Sequence, residues 1–258
     1  MLKKISAAIF RFIRRLVALF YRAPEQRGTE HLPAESAIIV GNHTQMNGPI
    51  VAELYIPNEP YIWCAGQMMH WNECPAYAYQ DFWSQKPAWT HGFYKLLAYV
   101  ITPLAVNIFN NARTIPVYHD TRLVTTFRQT MNRLDEGRSI VIYPEKDEPY
   151  NHILYQFQDK FVDTAKMYCR RSGRALDFVP MYLAPNLNLV VYGAPVRYNP
   201  ENPIAAERER ICGYLQEEIT RMAEALPEHT VIPYRNIPKK HYPKNRAEEV
   251  STHETARR

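Results

Sequence analysis

Six short apolar runs recur along this chain, at 37–41, 60–65, 113–118, 139–143, 177–182 and 188–193. None is long enough for a buried helix, and several carry β-branched residues, so each reads as a buried strand. Longer stretches with helical spacing lie around and between them, at 49–55, 92–102, 120–136, 155–172 and 203–226. Alternating strands and helices restrict the chain to an α/β architecture, a mixed, largely parallel sheet flanked by helices. Asp120 stands where a helix N-cap belongs, Gly137 follows that segment, and Pro227 stops the last one. Residues 57–92 fit neither period; Trp63, Trp71, Tyr77, Tyr79, Phe82, Trp83 and Trp89 crowd there. That stretch is a lid or interfacial aromatic surface, or else a tightly packed connection.

The first 22 residues hold six basic side chains and no acid. On a helix, Lys4, Arg11, Arg15 and Arg22 share a stripe, with Lys3 and Arg14 at its edge. Ile5, Ile9, Phe12, Ile13, Leu16, Leu19 and Phe20 take the other side, and Pro24 ends the run. The arginines cut the apolar stretch too short for a membrane span of about 20 residues. No small-residue cleavage site follows, which argues against a signal peptide. An in-plane helix on an anionic leaflet and a helix packed on the protein's own core remain. The purely basic polar face favours the membrane. The expected layout is therefore a membrane-surface helix (1–24), an α/β domain (25–236) and a polar tail (237–258).

The net charge of +5 is unevenly spread, with a second basic cluster at Lys239, Lys240, Lys244 and Arg246. Such charge points to an anionic membrane surface as partner rather than to nucleic acid. Cys64, Cys74, Cys169 and Cys212 are scattered without zinc-like spacing and read as free thiols in a reducing cytosol. The nine histidines show no metal-binding pairing either, and no metal site is assigned.

Four strand ends carry the polar residues. They are Asn42-His43 with Gly48-Pro49, Arg113 to His119, Tyr143-Pro144-Glu145-Lys146-Asp147, and Val179-Pro180. Parallel strands deliver such ends to one edge of a sheet, where ligands collect. A histidine there can take a proton from a hydroxyl near neutral pH.

In order and spacing these stretches resemble the glycerolipid acyltransferases that include 1-acyl-glycerol-3-phosphate acyltransferase. That family's motifs read N-H-x-x-x-x-D, then roughly G-x-I-P-V-x-R, F-P-E-G-T-R and V-P-x-x-I. The resemblance runs from about residue 30 to 200. It implies an acyltransferase on the inner face of the cell membrane, with His43 as general base. Acyl-CoA or acyl carrier protein would be the acyl donor, no cofactor would be needed, and a lipid-like hydroxyl would be the acceptor.

The departures are specific. Gly48 stands where the family has the acid partner of its histidine, and His119 where it has a phosphate-binding arginine. Lys146, Asp147 and Glu148 replace Gly-Thr-Arg. Asp147 is the candidate replacement partner for His43, with Asn47 a weaker one and Glu145 another, although the matching glutamate of the family faces the acceptor. Asn42, His119, Arg122, Glu145 and Lys146 are the candidate substrate-binding residues. An acid where an arginine is expected repels phosphate, which argues against a glycerol-phosphate acceptor. Two rival readings stay open: a lipid- or acyl-binding protein that lost the chemistry, and an acyl-thioester hydrolase.

Overall fold

The structure, a computed structural model, describes residues 2–246. Residues 247–258 of the expected tail lie outside the described residues. In chain order the first elements are α1 (Leu2–Phe20), β1 (Glu25–Arg27), β2 (Ile38–Gly41), α2 (Asn47–Leu54), β3 (Tyr61–Ala65), α3 (Cys74–Phe82), α4 (His91–Asn111) and β4 (Thr114–Val117). Then follow α5 (Leu123–Asp135), β5 (Ile140–Ile142), β6 (Glu145–Pro149), β7 (Tyr155–Phe157), α6 (Asp163–Ser172), β8 (Asp177–Ala184), β9 (Leu189–Tyr192), β10 (Val196–Arg197) and α7 (Ile204–Glu224).

The six apolar runs are β2, β3, β4, β5, β8 and β9. They join one sheet in the order β1-β9-β8-β2-β5-β3-β4, with β10 beside the start of β8. Every pairing is parallel except those of β9 and β10 with β8. Side chains alternate across it as a pleated strand requires. Ile38, Val40, Phe178 and Tyr182 face α5, α6 and α7, whereas Ile39, Val179 and Met181 face α2.

Four strands were not expected: β1 and β6 are polar, and β7 and β10 are only three and two residues long. The expected helix 155–172 starts late, because Tyr155 pairs with Pro149 in a β6–β7 hairpin. The expected helix 92–102 runs on to Asn111 with Pro103 inside it. The aromatic stretch is mostly regular: it holds β3 and then α3, which carries Pro75 in its first turn.

The helix α1 lies along α4, where Asn107 and Asn111 donate to Ser6 Oγ, each at 2.9 Å. Arg14 is drawn to Glu53 at 3.2 Å. The half-buried side of α1 is Ser6, Ala7, Phe10, Ile13, Arg14 and Val17. This is a third face, about 120° from both the apolar and the basic ones at 100° per residue. The apolar face is therefore left in solvent, with Phe12, Leu19 and Phe20 exposed by 68%, 77% and 81%. The helix thus rests on the protein itself, though by its third face and not by its apolar one. Phe93, Leu96, Val100 and Leu104 of α4 are exposed as well. Residues 88–111 form a helical stretch long and apolar enough to cross a membrane, with only 17% of its apolar window buried.

The expected polar tail packs on the domain as far as Arg246, the last described residue. Asn245 is fully buried and donates to the Ala223 and Leu226 carbonyls. Gln45 donates to the Tyr242 hydroxyl at 3.0 Å. All four cysteines are unpaired.

Candidate functional site

Register brings the two motif ends together. In the parallel β2–β5 pair, Val40 lies opposite Ile142. Three residues beyond each stand His43 and Glu145, so the chain delivers them to one point on the sheet edge. The backbone N–H of His43 donates to one oxygen of Glu145, and the backbone N–H of Tyr155 donates to the other at 2.7 Å. Glu145 is only 2% exposed. Burial pushes its carboxyl up to about 7, outweighing the two amides, which favour the charged form. Its place is behind the His43 backbone rather than on a substrate.

Asn42 is also committed. Its amide nitrogen donates to the Leu183 carbonyl at 3.0 Å, and its carbonyl oxygen accepts from the Leu183 N–H at 2.8 Å. The side chain thus imitates one further step of the β2–β8 ladder, whose last pair is Gly41 and Met181. This corrects its expected role in binding substrate: both of its polar groups are taken by backbone.

The His43 ring is half-buried between two tyrosines. It meets Tyr143 edge-on at 5.9 Å and Tyr234 at 5.2 Å between ring centroids. Burial lowers its pKa, which keeps the imidazole neutral at pH 7, the form a base needs. Its Nδ1 is buried and has no hydrogen-bond partner among the described residues. Such an atom forfeits about 1–3 kcal/mol of hydration.

None of the expected partners, Asp147, Asn47 and Glu145, reaches this Nδ1; Glu145 holds the His43 backbone instead. Asp147 lies on the solvent side of the β6–β7 hairpin and pairs with Arg235 at 3.4 Å. Asn47 accepts from the Tyr21 hydroxyl at 2.9 Å and donates to the Thr44 carbonyl at 3.0 Å. Lys146 pairs with Glu148 at 2.8 Å, near the same hairpin edge.

His119 and Arg122 follow β4, which stands beyond β3 from β5. Three strand spacings, about 14 Å, separate that position from the end of β2. His119 is exposed. Arg122 donates to Glu73 at 2.8 Å and to Asp120 at 2.8 Å, and stacks over the Tyr118 ring at 4.1 Å. Its hydrogen bonds hold both carboxyls below the usual carboxylate range. An arginine matched by two acids offers little to a phosphate, so the expected role of Arg122 is not carried by its geometry.

Sequence reasoning missed the tyrosines. Tyr143 precedes Pro144 and had read only as a strand end. Tyr234 comes from a segment that folds back over the sheet edge, and no local signal ties it to His43.

No family model matches the chain, and no curated protein does. Among solved structures, the crystal structure of the 1-acyl-sn-glycerophosphate (LPA) acyltransferase PlsC from Thermotoga maritima is similar. Identity is 13%, over 84% of this chain and 80% of that one, with a TM-score of 0.44.

Proposed function

We propose that the protein is an acyltransferase acting at a membrane surface, with His43 as its general base. The carrying observation is a neutral, half-buried imidazole whose backbone is clamped by a buried glutamate at the parallel sheet edge. The motif resemblance supplies the reaction class. His43 takes the proton from an acceptor hydroxyl as its oxygen attacks the thioester carbonyl of acyl-CoA or acyl carrier protein. The carbon–sulfur bond then breaks, and the leaving thiolate takes up the proton.

The charge around the site favours an acceptor with no phosphate beside His119 or the hairpin. Arg122 is already matched by Glu73 and Asp120, and Asp147 and Glu148 are exposed. Membrane attachment is part of the same reading, on the inner face of the cell membrane. The exposed apolar faces of α1 and α4 support it, with the basic stripe of α1 suited to anionic headgroups. Replacing Phe12 and Leu16 by Glu should release the protein from anionic vesicles in a sedimentation assay. Full retention would refute that attachment.

The unpartnered Nδ1 of His43 favours a second reading, a lipid- or acyl-binding protein without turnover. One incubation separates the two. Labelled acyl-CoA and acyl carrier protein are supplied with a total lipid extract, and products are read by mass spectrometry. Acylated product that disappears in His43→Ala supports the transferase. Acyl binding without product supports the binding protein, and free fatty acid formed without acceptor would indicate a hydrolase.

A further inference from the structure

Tyr143 has no assigned role, yet its hydroxyl is buried and without a hydrogen-bond partner among the described residues. Its ring lies in a slot made by two glycines. A Cβ at Gly41 would come within 3.0 Å of Tyr143 Cε1, and one at Gly48 within 2.8 Å of Cζ and 3.0 Å of the hydroxyl. The tyrosine thus occupies the space that a side chain at position 48 would fill. That is the position where the motif calls for a carboxylate and this chain has none. On the neighbouring ring, met edge-on, His43 Nδ1 is also buried and unpartnered. Two buried orphan atoms on adjoining rings are costly apart and satisfied together.

We propose that the Tyr143 hydroxyl is the positioning group for His43, accepting a hydrogen bond from Nδ1–H in the place of the missing carboxylate. The consequence is a fixed tautomer: with the proton on Nδ1, Nε2 keeps its lone pair for the acceptor hydroxyl. A neutral phenol orients the ring but does not stabilise the imidazolium as a carboxylate would, so it makes a weaker base than an Asp–His pair. The catalytic part of this proposal rests on the transferase reading; the tautomer does not.

The test uses the full-length protein with 15N-labelled histidine, and NMR of the imidazole nitrogens reads the tautomer directly. The expected result is Nδ1–H in the wild type and a shift toward Nε2–H in Tyr143→Phe, which fills the same slot. Tyr234→Phe should leave the tautomer unchanged. The proposal is overturned if the wild type carries Nε2–H, if Tyr143→Phe leaves the tautomer unmoved, or if Tyr234→Phe is the variant that moves it. In the product assay, kcat for Tyr143→Phe should fall about tenfold or more with KM unchanged. A protein that shows the tautomer shift but no acyl transfer in any form keeps this proposal and loses the transferase reading.

Discussion

Two clusters stand on the same edge of the sheet and differ in almost every physical respect. At the end of β2, His43 and Glu145 are drawn out of water, and burial lowers the pKa of the imidazole and raises that of the carboxyl. At the end of β4, Arg122, Glu73 and Asp120 form a half-exposed ion network in which every charge meets its opposite. Desolvation leaves the first cluster with unspent chemistry, because the neutral imidazole keeps a lone pair that can take a proton. Mutual neutralisation leaves the second with little. A sheet edge therefore marks where a site can form, and local dielectric and charge balance decide which part of the edge is reactive.

The contrast is broken most directly through the histidines. His43→Ala should lower kcat/KM for acyl transfer by about 10²–10⁴, the range for loss of a general base. His119→Ala should leave it near the wild-type value. Equal losses would mean the reactive part of the edge is wider than the first cluster.

The glutamates give the next effect. Glu145→Ala leaves the buried N–H groups of His43 and Tyr155 without their acceptor, at about 1–3 kcal/mol each. Urea unfolding should report a loss of about 2–6 kcal/mol. Glu73→Ala removes only a screened, half-exposed pair and should shift the curve far less.

The pH dependences of the two clusters have opposite signs. The Glu145 carboxyl is raised from an ordinary 4.5 to about 7 in the folded chain. Its contribution to stability is complete below about 4.5 and is lost as pH rises through about 7. Glu73 and Asp120 are held low, so theirs is present above their unfolded values and is lost as pH falls through the folded ones. Glu145→Gln should flatten the stability profile between about pH 4.5 and 7. A profile that keeps its slope there would show that Glu145 is not raised. The smallest effect is expected from salt: 1 M NaCl should loosen the Arg122 network and leave the buried His43–Glu145 contact intact.

Much of the architecture was legible because it is written in local pattern. Short β-branched runs predicted β2, β3, β4, β5, β8 and β9, whereas their order in the sheet came only with the structure. Pairing His43 with the end of β5 was also within reach, since both motif ends follow runs that become neighbouring parallel strands. The β6–β7 hairpin was not, because Glu-Lys-Asp-Glu-Pro has no alternation to mark it. The identity of His43's neighbours was less legible still. Asp147 had the right chemistry, but the hairpin turns it toward Arg235 and water.

Sequence alone determined the layered fold, the amphipathic and basic character of α1, and the arrival of a histidine and a glutamate at one edge. These depend on periodicity and on hydrophobic burial, which each segment carries within itself. Only the tertiary structure decided that α1 docks by its third face and leaves its apolar one free. It likewise decided that Arg122 is claimed by Glu73, and that Tyr143 fills the slot beside Gly48. Those outcomes turn on which polar atoms and which empty volumes meet after distant segments pack. A hydrogen-bond partner 49 residues away leaves no trace in the local pattern of either residue.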